Sequence, residues 1–260
     1  MPEGTEVRIM SDFINEKSNN KIFNRIFNVQ RGNIPEEIPI DNFKINSYSV
    51  GKQLTVSLIS ESKIEDISVF MGMSGNWEFV ETEKWKNVKF VRLRMDTLDG
   101  WSLLLHGSYM GPKYKFGKFT GVKRGPDITR DYERFRSNIL ENKEKKCFQK
   151  PLGEVLMNQE YFNGIGAYLN SEILGRLDLD PNKKFTDLNE SEVEDVIKMC
   201  KKCCDESYEF GGGELKDWSN PFGGSRIDEW IRFYGNEDIC SKQKFGERRI
   251  WIQRKFIQKV

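Results

Sequence analysis

Behind Pro2-Glu3-Gly4, the apolar residues Val7, Met10, Phe13 and Ile14 recur at helical spacing, which predicts a helix over about 3–17 packed on the segment after it. The period then shortens. Strand-like runs come next, over 22–29, 43–59, 66–79, 90–95 and 101–105, with Leu98-Asp99-Gly100 as the turn that joins the last two into a hairpin. This half is expected to be an antiparallel β-sandwich with a leading helix.

Near Gly125-Pro126-Asp127 the pattern becomes helical, over 131–140, 151–158 and 165–174. A longer helix is opened by Asn189 with Glu192 three residues on, a capping pair, and is stopped by Gly211-Gly212-Gly213. The stretch 211–225, with Trp218, Pro221 and Phe222, reads as a long mobile loop of the kind that closes over a substrate. A short helix over 227–234 leads through Gly235 to a two-stranded pattern that turns near Phe245-Gly246. The expectation is an α+β, two-domain chain: a catalytic β-sandwich over 1–128, a helical domain over 129–234 and a terminal hairpin over 235–260.

Composition adds bounds. With 260 residues, 37% of them hydrophobic, the chain can build two modest cores. No run approaches the roughly 18 apolar residues of a membrane span and no signal region opens the chain, so a soluble, intracellular protein is expected. The net charge of +1 points to no partner, but its distribution is uneven. Seven basic residues against one acid fall in 241–260, and five basic residues with no acid in 111–125. Such segregation suits a face turned to a polyanion; solvated surface is the plain alternative. The five cysteines make no extracellular framework. Cys200 and Cys203 have a metal-like spacing, but they sit in a helical pattern with no second pair, so no metal is expected there. His106 ends an apolar strand and reads as structural.

The chemistry lies at the start, Met1-Pro2-Glu3-Gly4-Thr5-Glu6. Removal of Met1 leaves Pro2 with a secondary amine, and Glu3 sets a carboxyl beside it. Such an amine can attack an aldehyde or an anomeric carbon to give an iminium, an electron sink for eliminations, while the acid protonates a departing or ring oxygen. The amine must be uncharged: a helix start favours that and ionised Glu3 and Glu6 oppose it. A helix-starting proline with first-turn acids is the bland alternative.

Taken together, Met-Pro-Glu-Gly, Gly72-Met73-Ser74-Gly75, Phe162-Asn163-Gly164-Ile165-Gly166 and Arg248-Arg249-Ile250-Trp251-Ile252-Gln253 resemble the formamidopyrimidine/endonuclease VIII family of DNA glycosylases. The likeness is to the endonuclease VIII-like branch with a zincless finger. It implies a helix-two-turn-helix in the second half. It also implies a bifunctional DNA glycosylase/AP lyase of base excision repair, acting on oxidised pyrimidines and hydantoins. Pro2 would form a Schiff base with C1′, and β,δ-elimination would come next. Glu3 would protonate the sugar ring oxygen, Glu6 orient water or sugar, and Lys52 and Arg248 bind lesion phosphates. Arg249 is adjacent to Arg248, so a one-residue shift stays open.

The same resemblance makes Met73 and Phe116 fillers of the space an extruded base leaves, and brings the amides at Gly164 and Gly166 to a phosphate. Two positions depart from it. Tyr114 stands where the family has an arginine that reads the orphaned base, so discrimination among opposite bases is expected to be weak. Ala167 replaces an asparagine that reaches phosphate, so one contact is lost. One cysteine, Cys240, and no histidine in 235–260 cannot assemble four zinc ligands. No cofactor or metal is implied. The partner is damaged DNA, double- or single-stranded, not a membrane; the protein would act as a monomer, in the nucleus or at a site of DNA replication if eukaryotic or viral. A catalytically inactive damage-binding protein on the same fold is the competing reading. A metal-dependent nuclease that merely carries a hairpin DNA-binding module is a third.

Overall fold

The period-two runs of the first half pair as two antiparallel sheets, and the helical runs of the second half pack around a cluster of phenylalanines. The structure is a computed structural model, described for residues 2–29, 35–108, 110–119, 123–213 and 218–257. The chain divides into two compact units. The first takes Met1–Pro2, Glu6–Gly121 and Gly211–Ser225; the second takes Glu3–Thr5, Val122–Phe210 and Arg226–Val260. The segment Gly211–Ser225, grouped by sequence with the helical half, therefore belongs with the sheets.

In the first unit, helix α1 (Gly4–Ser18) turns Val7, Met10 and Ile14 inward, all fully buried. The strands are β1 (Phe23–Asn28), β2 (Glu36–Ile38), β3 (Lys44–Val50), β4 (Gln53–Ile59), β5 (Ile64–Phe70), β6 (Asn76–Glu81), β7 (Val91–Thr97), β8 (Trp101–His106) and β9 (Lys113–Phe116). One sheet runs β2-β1-β7-β8-β6 and the other β3-β4-β5-β9. Asn15 on α1 clasps the edge strand β3: its Nδ2 donates to the Ser47 carbonyl at 2.8 Å and its Oδ1 accepts from the Ser47 amide at 2.7 Å.

Three expectations change here. The run 43–59 is two strands, β3 and β4, paired across the turn at Gly51-Lys52. The run 66–79 is not one strand, because β5 and β6 belong to different sheets and Gly72-Met73-Ser74-Gly75 carries the chain between them. Gly72 has φ +60°, and a Cβ there would lie 2.5 Å from the Met110 carbonyl oxygen, so the turn needs glycine. Tyr114 and Phe116, outside every strand-like run of the sequence, lie in β9, which pairs with β5 through Ser68 with Lys115 and Val69 with Tyr114. The Lys-Tyr-Lys-Phe alternation is only four residues long, too short to stand out along the chain, and its register is set by its partner.

The second unit holds α2 (Tyr132–Leu140), α3 (Leu152–Val155), α4 (Ala167–Leu177), α5 (Glu190–Glu209), α6 (Ile227–Trp230) and the hairpin β10 (Cys240–Phe245) with β11 (Arg248–Gln253). The capping box that opens α5 forms: Asn189 Oδ1 accepts from the Glu192 amide at 2.9 Å, and Glu192 Oε2 from the Asn189 amide at 2.8 Å. Phe148 packs on Phe185 with ring centroids 5.0 Å apart, and Phe135 meets Phe162 edge-on at 6.0 Å. The hairpin is held by packing and backbone bonds. The Trp251 amide donates to Ser171 Oγ at 3.0 Å, Gln253 Nε2 donates to the Gly175 carbonyl at 3.1 Å, and the Phe245 ring occupies the place of a Cβ on Gly153. Fully buried Glu172 accepts from the amides of Arg232, Phe233 and Tyr234 and pairs with Arg176.

Cys200, Cys203 and Cys204 are buried on α5. Burial pushes the Cys203 thiol up to about 12 and raises the other two, which disfavours the thiolate that metals bind. Among the described residues no helix is long and apolar enough to cross a membrane.

Candidate active site

Pro2 lies just ahead of α1 and is buried. The next residue is held hard. Glu3, 3% exposed, accepts from the Gly166 amide on Oε2 at 2.6 Å and from the Tyr168 amide on Oε1 at 3.0 Å. These donors are among the unsatisfied groups at the N-terminus of α4, where the helix dipole favours an anion. The Gly166 amide, expected to meet a phosphate, thus meets a carboxylate of its own chain. Gly164 is likewise engaged, its amide donating to Gln159 Oε1 at 3.1 Å. A close backbone approach joins the chain start to the turn before α4. The Gly4 amide donates to the Gly164 carbonyl at 2.8 Å, and a Cβ on Gly4 would lie 2.8 Å from Gly164 Cα.

Glu6 is fully buried in the first unit, with Oε1 accepting from the Gly213 amide at 2.7 Å. Around it the described parts of 211–225 are braced: Asn220 Nδ2 donates to the Gly211 carbonyl at 3.0 Å and Asn76 Nδ2 to the Ser219 carbonyl at 2.9 Å. Residues 214–217 of that loop lie outside the described residues. Lys52 is half-buried in the turn between β3 and β4, after Gly51 with φ +53°.

Met73 is 37% exposed at its turn, so it is not a core residue. Its amide donates to the Met110 carbonyl at 3.0 Å, and Ser74 Oγ lies 2.6 Å from Ser108 Oγ, so this turn is fastened to Ser108 and Met110. Tyr114 and Phe116 share one face of β9, rings edge-on at 6.2 Å. The Tyr114 hydroxyl donates to Asn28 Oδ1 at 2.8 Å. Burial, with Glu36 second, pushes that phenol up to about 12. Its one hydrogen is therefore committed within the protein. The two rings line an open cleft of ≈ 780 Å³ together with Asn28, Glu36, Arg92 and Lys113. Arg92 reaches this lining from the second position of β7.

Arg248 and Arg249 are both exposed at the start of β11. Strand alternation sends them to opposite faces of the hairpin, so they are not interchangeable. His106 closes β8 with Nε2 3.7 Å from Glu78 Oε2; burial lowers the histidine's pKa and raises the glutamate's. Among the described residues no group of three or more His, Cys, Asp and Glu is placed to hold a metal ion. The geometry offers a buried imino acid next to a clamped carboxylate in one place, and an aromatic cleft with cations in another.

No family model matches the chain. Endonuclease 8-like 1 of Homo sapiens is 28% identical over 290 residues, covering 97% of this chain and 72% of that protein. Formamidopyrimidine-DNA glycosylase of Wolbachia pipientis subsp. Culex pipiens is 26% identical over 237 residues, covering 85% and 83%. Among solved structures, the MutM (Fpg) protein from Thermus thermophilus has a TM-score of 0.79 at 17% identity, over 98% of each chain. A complex between the Lactococcus lactis Fpg and abasic-site DNA has a TM-score of 0.79 at 16% identity, over 99% of this chain and 100% of that one. The structural likenesses establish the fold.

Proposed function

We propose that the chain, similar to an endonuclease 8-like protein and to formamidopyrimidine-DNA glycosylases, is a bifunctional DNA glycosylase/AP lyase of base excision repair that excises oxidised bases, mainly pyrimidines and hydantoins. The observation that carries the reading is the carboxylate of Glu3, peptide-bonded to Pro2 and fixed by two amides of α4. A group held this firmly presents one geometry to a substrate.

Met1 lies outside the described residues; its removal frees the Pro2 nitrogen. That nitrogen attacks C1′ of the damaged nucleotide, the N–C1′ bond forming as the bond to the base breaks. Glu3 protonates the ring oxygen and opens the sugar to an iminium. Loss of a C2′ proton then expels the 3′ phosphate, and a further proton loss expels the 5′ phosphate. Lys52 and Arg248, with Arg249 alongside, bind phosphates of the lesion strand, and Glu6 orients water or sugar. Met73 and Phe116 fill the space left by the extruded base, offsetting an unstacking cost of a few kcal/mol. The β10–β11 hairpin serves as a zincless finger, and the protein works on damaged DNA as a monomer.

Borohydride reduction in the presence of abasic-site DNA tests this. The mature chain is expected to become covalently joined to the DNA through its first residue, located by mass spectrometry of the adduct. Retarded DNA without a crosslink would instead assign an inactive damage-binding protein. Strand cutting that needs a divalent metal would assign a nuclease.

A further inference from the structure

We propose that Asn15 is a positioning residue for Lys52: it grips the edge strand β3 and so fixes where the lysine meets a phosphate of the lesion strand. This rests on the reading of a DNA-acting enzyme given above and adds a residue to which that reading gives no part. Asn15, Ser47 and Lys52 all lie in the first unit.

Within its sheet β3 pairs only with β4, and its inward side has little to pack with. Ser47 and Ser49 are buried there, 4% and 2% exposed, at positions where a strand held by apolar burial would place large hydrophobic side chains. Hydrogen bonds hold it instead. The Ser47 hydroxyl donates to the Thr55 carbonyl at 3.2 Å, inside the sheet. On the open edge the carboxamide of Asn15 takes the place of a neighbouring strand, donating to the Ser47 carbonyl at 2.8 Å and accepting from the Ser47 amide at 2.7 Å. One side chain thereby satisfies both backbone groups of a residue that has no strand on that side. The grip has a firm base, because α1 turns Val7, Met10 and Ile14 into the core.

Gly51 and Lys52 are the two-residue link between β3 and β4, closed by the pair Val50 and Gln53, with Gly51 at φ +53°. So short a link has little freedom of its own. From Ser47 to Val50 is three residues, roughly 10 Å at the rise of a strand, so a tilt of β3 at the grip is passed on to Lys52. Lysine carries a compact charge on a flexible stem, and the placement of its backbone sets what that charge can reach.

The test is the salt dependence of affinity, measured by fluorescence anisotropy on a duplex with a tetrahydrofuran abasic analogue. Lys52→Ala is expected to make the slope of log affinity against log salt shallower by about 0.9, the loss of one neutralised phosphate. Asn15→Ala removes no charge, yet it should make the slope shallower by at least about half that amount. It should also slow borohydride trapping on abasic-site DNA about tenfold. The double variant should match Lys52→Ala within about twofold in trapping, with the same slope. Asn46→Ala, at an exposed position of β3 next to the grip, should change neither readout. A loss of fold stability alone leaves the charges of the bound protein, and so the slope, as they were. Asn15→Leu keeps the volume without the two hydrogen bonds and should repeat the alanine result; it decides the matter if circular dichroism shows the alanine variant unfolded. An unchanged slope in these Asn15 variants, or losses that multiply in the double variant, overturns the proposal. If the unaltered protein fails to trap while the slopes move as expected, the chemistry of Pro2 falls and the role of Asn15 stands.

Discussion

The clamp on Glu3 and the cleft around Arg92 are built on opposite principles. Both oxygens of Glu3 are engaged by amides at the N-terminus of α4, and Gly4 packs its backbone on Gly164. In the cleft the Arg92 guanidinium has a buried Nε with no hydrogen-bond partner among the described residues, and the rings of Tyr114 and Phe116 are half-buried. A reacting group gains from having one position, and the chain gives it one by engaging both of its oxygens. The difference teaches that saturation of hydrogen bonds is itself a clue to role.

The largest effect should come from the reacting end. An N-terminal extension that keeps the Pro2 nitrogen in a peptide bond is expected to abolish the borohydride crosslink, a loss of roughly a thousandfold or more, with DNA affinity little changed. Retained crosslinking would move the nucleophile elsewhere. Next, Glu3→Gln keeps the shape but not the acid, and single-turnover excision of an oxidised base should slow by about a hundredfold or more.

Gly4→Ala probes the clamp without touching its charge. The added Cβ would lie 2.8 Å from Gly164 Cα, where only backbone can yield, and the expected cost is roughly 1–3 kcal/mol, read as a lower denaturant midpoint with unchanged slope. An unaltered midpoint would show that the start of α1 adjusts freely.

The smaller effects belong to the cleft. Rates on lesions paired with C, G, A and T should differ by less than about tenfold, since Tyr114 has no free hydrogen with which to choose. The phenol gives the smallest signal. Its folded-state pKa of about 12 lies above the ordinary value of 10.0, so the fold favours the protonated form. Its contribution is complete below pH 10 and is lost as pH rises from there through 12. Tyr114→Phe should flatten the fall in stability over that window and remove one late-titrating tyrosine from the ultraviolet titration.

Much of this molecule could be read along the chain. The leading helix, the β7–β8 hairpin, the Asn189–Glu192 capping box and the terminal hairpin all come from local periodicity and end signals, because each is decided by residues a few positions apart. The features that could not be read were decided by partners far away. β9 is a strand only because β5 accepts it. The run 66–79 splits because its glycine turn must fit under the Met110 carbonyl.

The amino-acid sequence alone determined that Pro2 and Glu3 stand together, that a Gly-Ile-Gly turn precedes a helix, and that 235–260 holds one cysteine and no histidine, since adjacency and residue type need no folding to be known. Only the tertiary structure decided that Glu3, rather than a phosphate, takes the amides of α4, and that Arg92 shares a cleft with Tyr114. Hydrogen bonds between residues distant in the chain, and a donor left without one, exist only once the chain has closed on itself.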